Sequence, residues 1–316
     1  MDKMFATKEK VKKIKQGDRF VKIVSSPTFF LTVMLGLPIC TWTIFWLYTR
    51  LSSILLAFQL PAGGWSLNNF KIFFAGLANP NNALNIAVRN TFIYFGTSLL
   101  VILPGSLAIT YFLYKKVPGH GIYRAIFYFP AIVPQVVYIS IFKEIIAPWG
   151  ALNSILNLFG ASIPAAGLLG SPDTATWTIV SYVIWTGFCG DILLFGGAMS
   201  RIPAEVIESA KLDGCGMFTE LVCMVLPLMF PTIATVIVFT CTGIFSSSGP
   251  VLLMTGGSCE TTTIAYWIFN NVMGDGLGGG GQYNLVSAVG LFFTVIGVPL
   301  ILLVRWLLEK VPPVEY

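Results

Sequence analysis

Carboxylates, glycine and proline gather in one stretch of an otherwise apolar chain. Residues 202–227 run Ile202-Pro-Ala-Glu-Val-Ile-Glu-Ser-Ala-Lys-Leu-Asp-Gly-Cys-Gly-Met-Phe-Thr-Glu-Leu-Val-Cys-Met-Val-Leu-Pro227. The acidic residues are Glu205, Glu208, Asp213 and Glu220, opposed by Lys211 and the preceding Arg201. Pro203 suits the first turn of a helix. The spacing predicts a short helix over Ala204–Leu212, with Gly214 placed to end it. Val206, Ile207 and Ala210 give that helix a partly apolar face by i, i+3, i+4 spacing. The chemistry this suits is docking. A net acidic, amphipathic helix fits a groove on another protein, whereas anionic lipid headgroups repel it.

The rest of the chain offers little reactive chemistry. Cys40, Cys189, Cys215, Cys223, Cys241 and Cys259 form no CxxC pair, and most sit in apolar runs. They read as small buried hydrophobes rather than a disulfide framework. His120 is the single histidine, which leaves a histidine-based metal site almost nothing to work with. No Gly-x4-Gly-Lys-Ser/Thr phosphate loop occurs, so any ATP and magnesium chemistry belongs to another chain, and no cofactor is expected on this one. Asp191 is the one formal charge inside a long apolar run. An intramembrane carboxylate costs a few kcal/mol and faces a cavity or a partner. For Asp191 both readings stand: a place on a solute path, or pairing with a neighbouring hydroxyl or lysine. A membrane enzyme needs convergent acids, bases or nucleophiles in its spans, and Asp191 stands alone.

The elements that position these residues are membrane helices. Of 316 residues 55% are hydrophobic and only 10% charged, and the mean hydropathy is +0.79. A soluble domain carries about a quarter charged residues. A helix crosses the hydrocarbon core with about 20 apolar residues. Six stretches qualify: 27–47, 90–114, 125–142, 174–199, 221–245 and 285–304. These runs are continuous, not alternating as barrel strands are, so the expected fold is all-α with six transmembrane helices. The first run is too long for a signal-peptide core and ends in Tyr48-Thr-Arg50 without a small-residue cleavage site, so it is read as an uncleaved span. Eight of the nineteen lysines and arginines, Lys3 to Lys22, precede the first span. With the N-terminus inside, fifteen basic residues face the cytoplasm and Arg50, Lys71, Arg89 and Lys143 face outward. Both termini are therefore expected in the cytoplasm. The net charge of +5 is a topology signal and not a nucleic-acid groove. The outer segments are rich in Gly, Asn, Pro and Ser, and residues 276–281 read as a flexible loop.

The string Glu208-Ser-Ala210, Asp213-Gly214, Phe218, Leu226-Pro227 and Pro231 resembles the EAA loop of binding-protein-dependent ABC importer permeases. Ser209 and Cys215 stand where that family usually has alanine. Trp65-Ser-Leu-Asn-Asn-Phe70, Arg89-Asn-Thr91, Gly121 to Pro130, Gly150 with Asn153, Trp185-Thr-Gly187 and Met254-Thr-Gly-Gly257 resemble landmarks of its carbohydrate-uptake branch. The likeness runs from about Trp65 to Arg305. It is nearest to the maltose-type subunits of the larger-partner class, without their large external insertion. Lys143-Glu144 departs from the family's aromatic or apolar habit.

The resemblance implies the type I ABC importer permease fold in a bacterial plasma membrane. A basic tail (1–26) and a first helix with its external loop (27–85) would precede a five-helix core (86–308) bearing the EAA loop at 201–220, and a short tail (309–316) would follow. It implies a second homologous permease, two ATP-binding subunits and an extracellular solute-binding protein, with a sugar as cargo. Glu205, Glu208, Ser209, Ala210, Asp213, Gly214 and Phe218 would then couple to the ATPase. Positions carried over from the family place a solute path at Thr186, Gly187 and Gly190 on span four and at Thr240, Gly243 and Ser247 on span five. Tyr182 and Trp185 are candidates to stack on a sugar face. On this reading tryptophan at Gly187 or Gly243 blocks uptake and spares assembly. A non-sugar solute is the alternative cargo. A secondary transporter would commonly show inverted repeats and more ionisable groups within its spans.

Overall fold

The computed structural model describes residues 27–60, 63–246, 249–273 and 282–312. The basic tail, Ser247, the glycine run at 276–281 and residues 313–316 lie outside the described residues. Twelve helices matter to the argument: α1 (Phe30–Ala57), α2 (Asn68–Ala78), α3 (Ala83–Tyr114), α4 (His120–Ile132), α5 (Gln135–Ile146), α6 (Ala151–Leu158), α7 (Pro172–Met199), α8 (Ala204–Leu212), α9 (Met217–Gly243), α10 (Gly249–Met254), α11 (Ile264–Met273) and α12 (Tyr283–Glu309). Of these, α1, α3, α7, α9 and α12 are each long and apolar enough to cross a bilayer unbroken. The chain is a multi-pass membrane protein.

The third expected span, 125–142, is not one straight helix. The chain bends by 106° where α4 gives way to the segment beginning at Gln135. The cause is local. Pro134 forces the residue before it out of the helical region, and Val133 accordingly adopts φ −83°, ψ 135°. Prolines shape two other spans more gently. A proline donates no backbone hydrogen bond and its ring crowds the carbonyl four residues back. Just before Pro104 in α3 and Pro227 in α9 the helix widens into π turns, at Ser98–Ile102 and Leu221–Val225.

One end of the helix bundle is stitched by amides. Asn69 Nδ2 donates to the carbonyls of Ala57 and Gln59, both at 2.9 Å, and caps the end of α1. Asn284 Nδ2 reaches the same Gln59 carbonyl from α12 at 2.7 Å. Asn90, fully buried in α3, donates to the carbonyls of Glu260 at 2.6 Å and Thr262 at 3.0 Å. Thr91 Oγ1 accepts from the Ile264 N–H at 3.0 Å, and Arg89 pairs with Glu260 at 3.2 Å. The strap between α10 and α11 is thereby held to α3. The hold matters because Cys259 and Glu260 both adopt positive φ, 53° and 57°. Non-glycine residues persist there only when their surroundings compensate.

Replacing Asn90 with alanine removes two part-buried hydrogen bonds, those to the Glu260 and Thr262 carbonyls. The variant should lose about 2 kcal/mol of stability, read as a lower midpoint of thermal unfolding in detergent. An unchanged midpoint would mean that the strap is held by other contacts.

Candidate functional site

The short helix α8 lies between α7 and α9, with its apolar face turned toward the helix bundle. Ile207 and Ala210 are buried and Val206 is half-buried. Ile207 packs in one cluster with Leu107 and Tyr111 of α3, Phe195 and Met199 of α7, and Val225 of α9. The helix ends as its sequence requires. Cys215 N–H bonds back to the Ala210 carbonyl at 3.0 Å, and Gly214 takes φ +79°. That left-handed turn suits glycine, because a Cβ there strains the backbone. Nothing lies within 4 Å of where a Gly214 Cβ would stand, so the requirement at this position inside the chain is conformational and not steric.

The opposite face has no work inside the fold. Glu205, Glu208, Ser209 and Asp213 are exposed, and among the described residues the three carboxylates make no ion pair. Leu212 is 89% exposed and Phe218 78% exposed. Leu212 escaped the sequence reading. It lies five residues beyond Ile207, off the buried face, and an apolar residue between Lys211 and Asp213 on the polar side was the available signal. Glu220 belongs elsewhere: it is buried and paired with Lys115 at the end of α3.

The expected solute-path residues divide by environment. Tyr182 is 1% exposed, its ring edge-on to Phe142 at 5.2 Å, so it has no face open to a solute. Trp185 is 38% exposed and its ring lies 4.6 Å from Tyr138, which leaves part of the indole free. Thr186 and Thr240 are half-buried. Their hydroxyls donate to the Tyr182 and Val236 carbonyls at 3.0 and 2.9 Å, so toward a ligand they act mainly as acceptors. Gly187 departs from expectation. A Cβ there would stand 2.6 Å from Ile102 Cδ1 and 3.1 Å from its Cγ2, which marks Gly187 as a close contact between α7 and α3. Gly190 and Gly243 have open space beside them. Asp191 is half-buried and makes no ion pair or hydrogen bond among the described residues. A cavity of about 500 Å³ lies between α9 and the end of α12, lined by Pro231, Thr235, Phe239 and Arg305 among others. None of the expected path residues lines it.

The fold and several sequences have counterparts. A chain in the crystal structure of a bacterial ABC transporter involved in the import of the acidic polysaccharide alginate superposes with a TM-score of 0.75 at 22% identity, covering 92% of this chain and 99% of that one. The multiple sugar-binding transport system permease protein MsmF of Streptococcus mutans is 25% identical over 193 residues, 60% of this chain and 64% of the relative. The trehalose/maltose transport system permease protein MalF of Thermococcus litoralis is 28% identical over 216 residues, 66% of this chain and 68% of the relative. The chain is a homologue of sugar ABC importer permeases. No family model matches it. Against the MalF protein of Vibrio vulnificus the permease homologue spans only 42% of the relative's length, so what the relatives carry is argued for this chain below.

Tryptophan at Gly187 and at Gly243 should behave differently. At Gly187 it drives into Ile102 and should lower the yield of folded protein several-fold, since overpacking costs about 1–3 kcal/mol or more. At Gly243 it meets open space and should leave yield and thermal midpoint near the parent's. Size-exclusion profiles and unfolding midpoints measured side by side check this. Equal tolerance at both positions would contradict the assignment of Gly187 to a helix contact.

Proposed function

We propose that this chain is one of two permease subunits of an ABC importer for a sugar or oligosaccharide, with α8 and the turn after it as its coupling element. The observation that carries the proposal is the outer surface of loop 204–218: three exposed carboxylates, without an ion pair among the described residues, beside two exposed apolar side chains, on a helix whose other face is buried. The fold does not use those residues, so a partner is their natural use. Leu212 and Phe218 supply apolar anchors, and Glu205, Glu208 and Asp213 supply acceptors for basic or N–H groups around them.

In this reading two ATP-binding subunits hold the nucleotide and its magnesium, and a second permease closes the solute path. An extracellular solute-binding protein delivers the cargo. ATP-driven closure of the ATPases draws the coupling helices of the two permeases together, and the cavity turns from inward- to outward-facing. The names of the relatives favour a sugar. So do the half-open residues on α7 and α9: Trp185 offers an aromatic face, Thr186, Thr240 and Asp191 offer acceptors, and Gly190 and Gly243 offer room. Both termini lie in the cytoplasm, as the distribution of lysine and arginine requires.

Two experiments test this. Glu208→Ala and especially Gly214→Asp should weaken ATPase recruitment, by about 30-fold or more if one docked charge pair is lost, and should lower transport in parallel. The solute-binding protein's own affinity for sugar should not change. Co-purification of the ATPase, with ATP hydrolysis in reconstituted vesicles, is the measurement. Full recruitment with sugar-stimulated hydrolysis in both variants would remove α8 from the coupling role. The orientation is tested with a membrane-impermeant thiol reagent on intact cells, which should modify Cys259 and spare Cys215. Modification of Cys215 alone would invert the topology.

A further inference from the structure

A coupling helix transmits movement only if it is fixed to the spans that must move, and the structure holds an unexplained fixture beside it. Glu220 opens α9 immediately after the exposed turn and is 2% exposed. Its carboxylate contacts the ammonium of Lys115, whose side chain is 14% exposed and which caps the inner end of α3. The Lys115 ammonium also lies over the Tyr111 ring, 5.6 Å from its centre. The Tyr111 hydroxyl donates to the Met217 carbonyl at 2.9 Å. Met217 and Glu220, three residues apart, are thus gripped from one side by Tyr111 and Lys115. The other end of the loop is gripped by Ile207 in the cytoplasmic cluster. Only the middle, from about Lys211 to Phe218, stands out toward the cytoplasm.

The choice of an ion pair is informative. Apart from the Tyr111–Met217 hydrogen bond, the packing of this core is apolar and can slide. Two charges removed from water cannot exchange partners with solvent, so separating them carries a large cost. Such a pair fixes one register between α3 and the start of α9. It sits directly before the π turn Leu221–Val225, an irregularity in the hydrogen-bond ladder of α9. A push on the exposed turn would dissipate in that π turn unless a contact before it diverted the push into another span.

We propose that Lys115 and Glu220 are positioning residues that lock the inner end of α3 to the coupling turn, so that a displacement of α8 is passed to α3 as well as along α9. This rests on the reading of α8 as the coupling element. It predicts that the pair stays closed throughout the transport cycle, and that its loss separates ATP hydrolysis from transport without releasing the ATPase.

The test uses the assembled importer in reconstituted vesicles, with ATP hydrolysed per sugar imported as the readout. Glu220→Gln keeps the side chain's size and removes its charge. It should retain ATPase co-purification while the coupling ratio worsens by about tenfold, a typical allosteric coupling. The exchange variant Lys115→Glu with Glu220→Lys rebuilds the pair and should recover most of the ratio, which guards against a single variant that simply fails to fold. A third arm places cysteines at 115 and 220 in a background lacking the native cysteines, and joins them with a short bifunctional thiol reagent. Transport should survive the cross-link. Wild-type coupling ratios in both the single and the exchange variants, or arrest of transport by the cross-link, would overturn the lock. Failure of the unmodified protein to recruit an ATPase would instead overturn the coupling role of α8, which distinguishes the two.

Discussion

A backbone in hydrocarbon must satisfy its own hydrogen bonds, and the irregularities of this protein are arranged around that constraint. The hydroxyls within the spans turn back on their own helices: Thr91 on Ala87, Thr110 on Ser106, Thr186 on Tyr182, Thr240 on Val236. Some prolines distort the helix: it widens into a π turn before Pro104 and Pro227 and breaks outright at Val133-Pro134, whereas Pro38, Pro130, Pro231 and Pro299 sit inside helices. The polar stitching that joins one element to another is pushed to the two ends. At the end that carries Asn69 and Asn90, asparagines tie loops to helices. At the opposite end, among the described residues, the Lys115–Glu220 ion pair and the Tyr111 hydroxyl do so.

This division separates residues that build from residues that wait for a partner. Asn69, Asn90 and Thr91 belong to sequence landmarks, and each has a structural task at one end of the bundle. Gly150 is of the same kind: a Cβ there would stand 2.3 Å from the Glu144 carbonyl oxygen. Asn153 closes the same corner by donating to the Pro148 carbonyl and accepting from the Ile163 N–H. Gly257 faces the Tyr266 ring at 2.3 Å from its missing Cβ. Glu208, Leu212, Asp213 and Phe218, on α8 and the turn after it, are exposed and have no such task among the described residues. Equal prominence in the sequence therefore hides two different reasons for a residue's type, and burial tells them apart.

Much of this was legible in the sequence because the signals were local. Hydrophobic runs mark the spans, since membrane-crossing length is fixed by the bilayer. Pro203, the Val206/Ile207/Ala210 face and Gly214 mark α8, because helix ends and faces depend on near neighbours. The bend in the third span was written in Pro134, yet run length alone hid it. What was not legible depends on contacts between distant segments. Gly187 reads as a small residue on a path until Ile102, 85 positions earlier, is seen against it. Tyr182 reads as a sugar platform until Phe142 covers it. Glu220 reads as one more loop carboxylate until Lys115 arrives from another span. Composition and periodicity carry no term for such pairings.

The central claim is that the exposed side of α8 is covered by an ATP-binding subunit. The most direct test replaces Leu212 with a photo-crosslinking phenylalanine derivative in cells that make the whole importer. Irradiation should produce one predominant adduct between this chain and the ATP-binding subunit. Adducts with lipid alone, from an importer that is assembled and transporting, would contradict the claim.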